Sequence, residues 1–132
     1  MPHRWARSGA AAVGAACVAV AAGCTAAATP AVTMSAERFG GALARQDGST
    51  ACAMLTDDAR SATESFGRDC AAQLATLPNP GPVQQVEVWS DAAQVRFAAD
   101  TVFLLRFPDG WRVGAAGCAP RGDAPYDCQV QG

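Results

Sequence analysis

Cysteine is the residue type through which this sequence can do chemistry. There are six, Cys17, Cys24, Cys52, Cys70, Cys118 and Cys128, in 132 residues. A thiol can act as a nucleophile, a metal ligand, half of a disulfide or the attachment point of a lipid. Spacing sorts these uses. No Cys-x-x-Cys occurs, and the one histidine is His3. Zinc sites and thioredoxin-like redox sites need such clusters, so no metal and no cofactor is expected. Beyond residue 3 the chain has neither His nor Lys, which removes Ser-His, Cys-His and Schiff-base chemistry. A Gly-rich phosphate loop is also missing.

Carboxylate pairs are what remains for catalysis. Asp57 and Asp58 read better as the first turn of a helix, where the helix dipole favours acids. Asp123 and Asp127 read better as solvated loop acids. The tripeptide Arg121-Gly122-Asp123 spells an adhesion motif, a match too short to carry weight. No enzymatic activity is expected from this inventory. One binding feature competes with a structural reading. Trp89, Phe97, Phe103, Trp111 and Arg96 fall on neighbouring strand-like segments, where they could line a pocket with an Arg facing an anion. The structural alternative puts the aromatic residues in the core and the Arg side chains in solvent.

The N-terminus assigns two of the six cysteines. "MPHRWAR" is basic, and "SGAAAVGAACVAVAAG" is apolar or small throughout, the build of a secretory signal. Ala21-Ala22-Gly23-Cys24 fits a bacterial lipobox, at which the Cys24 thiol is diacylated and becomes the new N-terminus, although Leu is commoner where Ala21 stands. The alternative is ordinary signal cleavage near Ala26-Ala27-Ala28, giving a secreted protein. The lipid route is the preferred reading, with the product anchored at the outer face of the membrane. Residues 1–23 are then the signal, 24–34 a short tether, and 35–132 one folded domain.

Export leaves Cys52, Cys70, Cys118 and Cys128, an even set that reads as two disulfides. Three pairings are open. The local one, Cys52–Cys70 with Cys118–Cys128, is favoured because it staples short helices to each other and ties a breaker-rich tail to a strand. From Cys24 onward there are 8 Arg against 12 acids, which argues against nucleic acid as a partner. The expected partners are the membrane, through lipid, and an envelope protein or small ligand.

The elements that must position these residues follow from periodicity. Phe39 and Leu43 sit at i, i+4 in a helix that Thr33 or Ser35 can cap. Asp47 or Ser49, Thr56 and Asp69 can start three further short helices, the last carrying Cys70, Leu74 and Leu77 on one stripe. "PNPGP" closes the helical half. Then "VQQVEVWS", "AAQVRFAA", "TVFLLRF" and "GWRVGAAG" read as strands, joined by tight turns. The expected fold is α+β, short helices packed on a curved four-stranded antiparallel meander. The tail "APRGDAPYDCQVQG" shows no periodicity and reads as an irregular stapled segment.

This order of elements resembles the NTF2-like (cystatin-related) fold. More closely, Trp111, Val113, Ala115 to Cys118, Pro125, Tyr126, Cys128, Val130 and Gly132 resemble the C-terminal signature of small actinobacterial lipoproteins. "TACAMLTDDAR" and "RDCAAQL" resemble their paired-cysteine helical half. The resemblance implies export and anchoring, and no particular reaction. Its functional expectation is a non-catalytic accessory module that binds a partner or small ligand at the envelope. A small enzyme or ligand carrier using a cone cavity, and a purely structural envelope domain, are the alternatives.

Overall fold

A computed structural model describes Gly14 and residues 20–132, with side chains from residue 28 onward. The signal assigned to 1–23 falls almost wholly outside the described residues. Four α-helices, α1 (Val20–Ala44), α2 (Gly48–Ala53), α3 (Asp57–Glu64) and α4 (Cys70–Ala75), precede five strands. These are β1 (Val83–Trp89), β2 (Ala92–Phe97), β3 (Thr101–Phe107), β4 (Gly110–Arg121) and β5 (Ala124–Gln131). The strands form one antiparallel sheet in sequence order. The α+β class is as expected; the strand count is five, not four. None of the helices among the described residues is long and apolar enough to cross a membrane.

The short helices begin where short polar side chains can occupy orphan N–H groups. Asp47 accepts from Thr50 N at the start of α2, Thr56 from Ala59 N at α3, and Asp69 from Ala72 N at α4. Helix α1 departs from expectation. It contains Pro30 and runs back through the whole 24–34 stretch, so the segment read as a tether is helical. From Val32 onward the physical reason is burial: Val32, Ala36, Phe39 and Leu43 make one apolar stripe, so Thr33 and Ser35 fall inside the helix instead of starting it. Tertiary burial outweighs the local signals that pointed to a later start.

The sheet's helix-facing side supplies the other half of the core. Val95 pairs with Val86 and Val102, and Ala93 with Val88 and Leu104. These join Phe39, Leu43, Leu55 and Leu74 in one buried cluster. Two close approaches fix the layers. A Cβ on Gly40 would come 2.8 Å from the Phe97 ring, and one on Gly48 would come 1.8 Å from the Ala71 carbonyl oxygen. Helix α2 therefore lies directly against α4, where Cys52–Cys70 joins them across a Cα separation of 5.9 Å.

The fifth strand is the tail. Cys118 sits opposite Cys128 in the β4–β5 ladder and is disulfide-bonded to it. Pro120 and Pro125 had argued against a strand here. Both are accommodated because β3 stops pairing with β4 at Ala115, and because β5 is an edge of the sheet. A proline without an N–H is tolerated at such free edges. The register also shifts between Ala119 and Arg121, around Pro120. Arg121-Gly122-Asp123 is the hairpin bend, with Gly122 at φ 63°.

Two outcomes test this packing. Replacing both Cys52 and Cys70 by Ser costs about 3 kcal/mol, because helices of 6 residues do not persist alone. Denaturant titration reads that loss; an unchanged midpoint would show that the bridge carries nothing. Gly48→Ala, although Ala favours helix, destabilises by about 2 kcal/mol or more through overpacking against α4. Thermal unfolding of that variant at or above the parent temperature would contradict the close approach.

Candidate functional site

The structure divides the five residues expected to line a pocket between the two faces of the sheet. Phe97 is buried on the helix side, and Trp111 packs against the same core. Trp89, Phe103 and Arg96 point to the uncovered side. Direct cross-strand pairs define its rows: Trp89, Ala92, Leu105 and Arg112; then Glu87, Gln94, Phe103 and Ala115; then Gln85, Arg96 and Thr101. The five residues therefore do not converge on one cavity, and the helix-facing side is filled by Phe39, Leu43, Leu55 and Leu74.

The uncovered face has its own structure. Tyr126 from β5 reaches over it, with its ring 5.2 Å from Phe103 in an edge-on arrangement at 72°. Such contacts favour the pair beyond their buried area. Gln94 Nε2 also donates to the Tyr126 hydroxyl at 3.4 Å, a long bond. Trp89, Leu105 and Phe107 remain substantially exposed. The arginines on the sheet are mostly engaged. Arg106 pairs with Asp91 at 2.8 Å, and Arg112 pairs with Asp109, whose carboxyl is held below its ordinary pKa by that hydrogen bond. Both pairs are exposed, so they contribute little to stability. Arg96 makes only a 3.4 Å contact with Gln85. It borders a hollow of about 350 Å³ with Asp100, Thr101 and Pro120.

Asp100 is the residue that sequence reasoning missed. It stands in the β2–β3 turn, where an acid is ordinary turn chemistry. Its carboxylate instead gathers three backbone donors. Oδ1 accepts from Thr101 N at 2.8 Å and Cys118 N at 2.9 Å, and Oδ2 accepts from Gly117 N at 3.0 Å. Gly117 is in the left-handed region at φ 64°, and β4 continues past it to pair with β5 alone. A Cβ there would press on Gln129 at 3.1 Å and Leu77 at 3.3 Å. Asp100 thus holds β4 where it leaves β3. Burial pushes the Asp100 pKa above its ordinary value, and the three N–H donors oppose that only in part.

A second concave surface lies between α3, α4 and β5. Thr63, Arg68, Gln73, Thr76, Gln129 and Gln131 line a groove of about 130 Å³ over Leu77 and Val130. Sequence reading had given none of the six polar residues a binding role. They are scattered over α3, α4, β5 and the adjoining Arg68 and Thr76, and no spacing in the chain links them.

The remaining candidates stay apart or are already engaged. Cys52, Cys70 and Glu64 bring possible ligand atoms within 4.8 Å of one another. The two sulfurs are bonded to each other, so the trio is not a metal ligand set while that bridge stands. Asp57 and Asp58 occupy the first turn of α3, as expected, and Asp123 and Asp127 are exposed on the β4–β5 hairpin. Cys24 lies within the helical backbone of α1, and its side chain is outside the described residues.

No family model, curated protein or solved structure matches this chain.

Asp100→Ala leaves three backbone donors without their partner and costs about 2–4 kcal/mol. Asp100→Asn keeps one acceptor and costs less. The sign of the pH dependence follows from the raised folded-state pKa. The stability linked to Asp100 is complete below its ordinary value of 3.8 and declines as pH rises through the raised value. Chemical denaturation of the parent and Asp100→Ala across that interval reads both effects. Equal stability of the two, or a parent whose slope Asp100→Ala retains, would contradict this role.

Proposed function

We propose that this chain is a lipid-anchored, extracytoplasmic binding module without catalytic activity, which takes a small polar ligand in the groove between α3, α4 and β5. Location rests first on the two disulfides, which are characteristic of an oxidising, extracytoplasmic compartment. The anchor rests on the lipobox at Ala21–Cys24 and the signal-like segment before it. An NTF2-like ancestry, on the order of helices and strands, and kinship with small actinobacterial lipoproteins, on the tail motif that ends at Gly132, belong to the same proposal.

One observation carries the binding role. Gln73, Gln129 and Gln131 line one groove, and no hydrogen bond among the described residues engages their side-chain amides. Amides that line a concave surface and are not spent within the fold can bond a ligand in place of water. The absence of His and Lys after residue 3 supports a role in binding rather than catalysis.

Two measurements test this reading. Cys24→Ser moves the protein from the membrane fraction to the soluble fraction in detergent phase partitioning. Unchanged partitioning would remove the anchor. Gln129→Ala and Gln131→Ala leave stability within about 0.5 kcal/mol of the parent, as expected of residues that do not serve the fold. A loss well above that, read by thermal unfolding, would assign them to structure instead.

A further inference from the structure

The chemistry of the groove specifies its ligand, an inference that rests on the binding role proposed above. Each primary amide offers two donors and an acceptor. Thr63 Oγ1 donates to Ala59 O at 2.8 Å and Thr76 Oγ1 to Gln73 O at 2.6 Å, so both hydroxyls remain available only as acceptors. The wall therefore presents donors and acceptors side by side. A ligand that answers both must itself donate and accept at neighbouring atoms, as vicinal hydroxyl groups do.

Arg68 adds charge. Its Nε donates to Ser65 O at 3.2 Å, while its terminal nitrogens have no carboxylate partner among the described residues. None of the groove-lining residues is acidic. A guanidinium left open beside neutral amides is suited to a carboxylate, which it can grip through two parallel bonds.

The rim adds a flat apolar surface. Phe66 is 97% exposed, the most exposed of the large apolar side chains among the described residues. It is held at φ 62°, followed by Gly67 at φ 74°. A bulky residue in the left-handed region is strained. The Arg68 guanidinium lies 6.0 Å from the Phe66 ring centre, which places the ring beside the charged end of the groove. The face of an exposed aromatic ring can cover the C–H face of a pyranose. The groove's 130 Å³ is the share of roughly four water molecules, enough for one ring edge and too small for a drug-sized ligand.

We infer that this groove binds a single sugar-acid unit, with the carboxylate on Arg68, the hydroxyls on Gln73, Gln129 and Gln131, and the apolar ring face toward Phe66. The test is a ¹H–¹⁵N NMR titration of the folded domain with disulfides intact, using glucuronate, glucose and acetate separately. Glucuronate shifts the side-chain amide signals of Gln73, Gln129 and Gln131 and the Arg68 Nε signal, and the shifts saturate. Glucose and acetate, each lacking one half of the recognition, bind about tenfold more weakly or worse. Arg68→Gln, at an exposed site, keeps the parent spectrum elsewhere and removes the preference for glucuronate over glucose. Phe66→Ala weakens both sugars and leaves acetate unchanged.

The inference is overturned if glucuronate produces no saturable shift at those four side chains. Equal binding of glucuronate and acetate, or a glucuronate preference that survives Arg68→Gln, overturns it too. Any of these outcomes leaves the anchor and the stability-neutral amides to be judged by their own measurements.

Discussion

The carboxylate of Asp100 sits at the junction on which the second half of this molecule depends. Strand β4 pairs with β3 only as far as Ala115 and must then go on without it. The N–H groups of Gly117 and Cys118 lie past the point where β3 could satisfy them, and Asp100 accepts both. An orphaned backbone donor in a partly buried place costs on the order of 1–3 kcal/mol, so this one side chain stabilises β4 where it leaves β3. With β4 extended, Cys128 stands opposite Cys118, Tyr126 reaches Phe103, and Gln129 and Gln131 border the groove.

Strand β4 also joins the helical half to the sheet. Thr56 N donates to Val113 O at 2.8 Å, and Val113 N donates to Met54 O at 2.9 Å. That pair of bonds fixes the joint between α2 and α3 on the same strand that Asp100 steers farther along. The Cys52–Cys70 bridge then holds α4 against α2. The groove follows from these ties, with one wall from α3 and α4 and the other from β5. Each of its polar residues comes from an element too short or too exposed at the edge to persist without them.

Much of this fold was legible in the chain, for identifiable reasons. Asp47, Thr56 and Asp69 announce helix starts because capping is a local interaction between a side chain and an N–H three residues on. Four strands were legible because alternation reports a sheet with one covered face. That α1 runs on through Thr33 and Ser35 without a break was not legible, since burial of Val32 depends on residues distant in the chain. Nor was β5, whose prolines signal a loop unless the free edges of β4 and β5 are already known. The site was less legible still. Trp89 and Trp111 looked like neighbours, but the sheet turns them to opposite faces. Asp100 looked like a turn residue because its partners Gly117 and Cys118 lie 17 and 18 residues away. Gln73 and Gln129 carry no motif, and only the fold brings them to one groove.

Amide hydrogen exchange of the parent and Asp100→Ala, both with Cys118–Cys128 oxidised, tests the central claim most directly. In the parent, the Gly117 and Cys118 amides are protected to the same degree as the β3–β4 ladder. In Asp100→Ala that protection is lost, and the loss spreads to Gln129, Val130 and Gln131 while β1 and β2 keep theirs. Unchanged protection at Gly117 and Cys118, or a loss confined to those two amides, would contradict the account, because β5 and the groove would then stand without the Asp100 carboxylate.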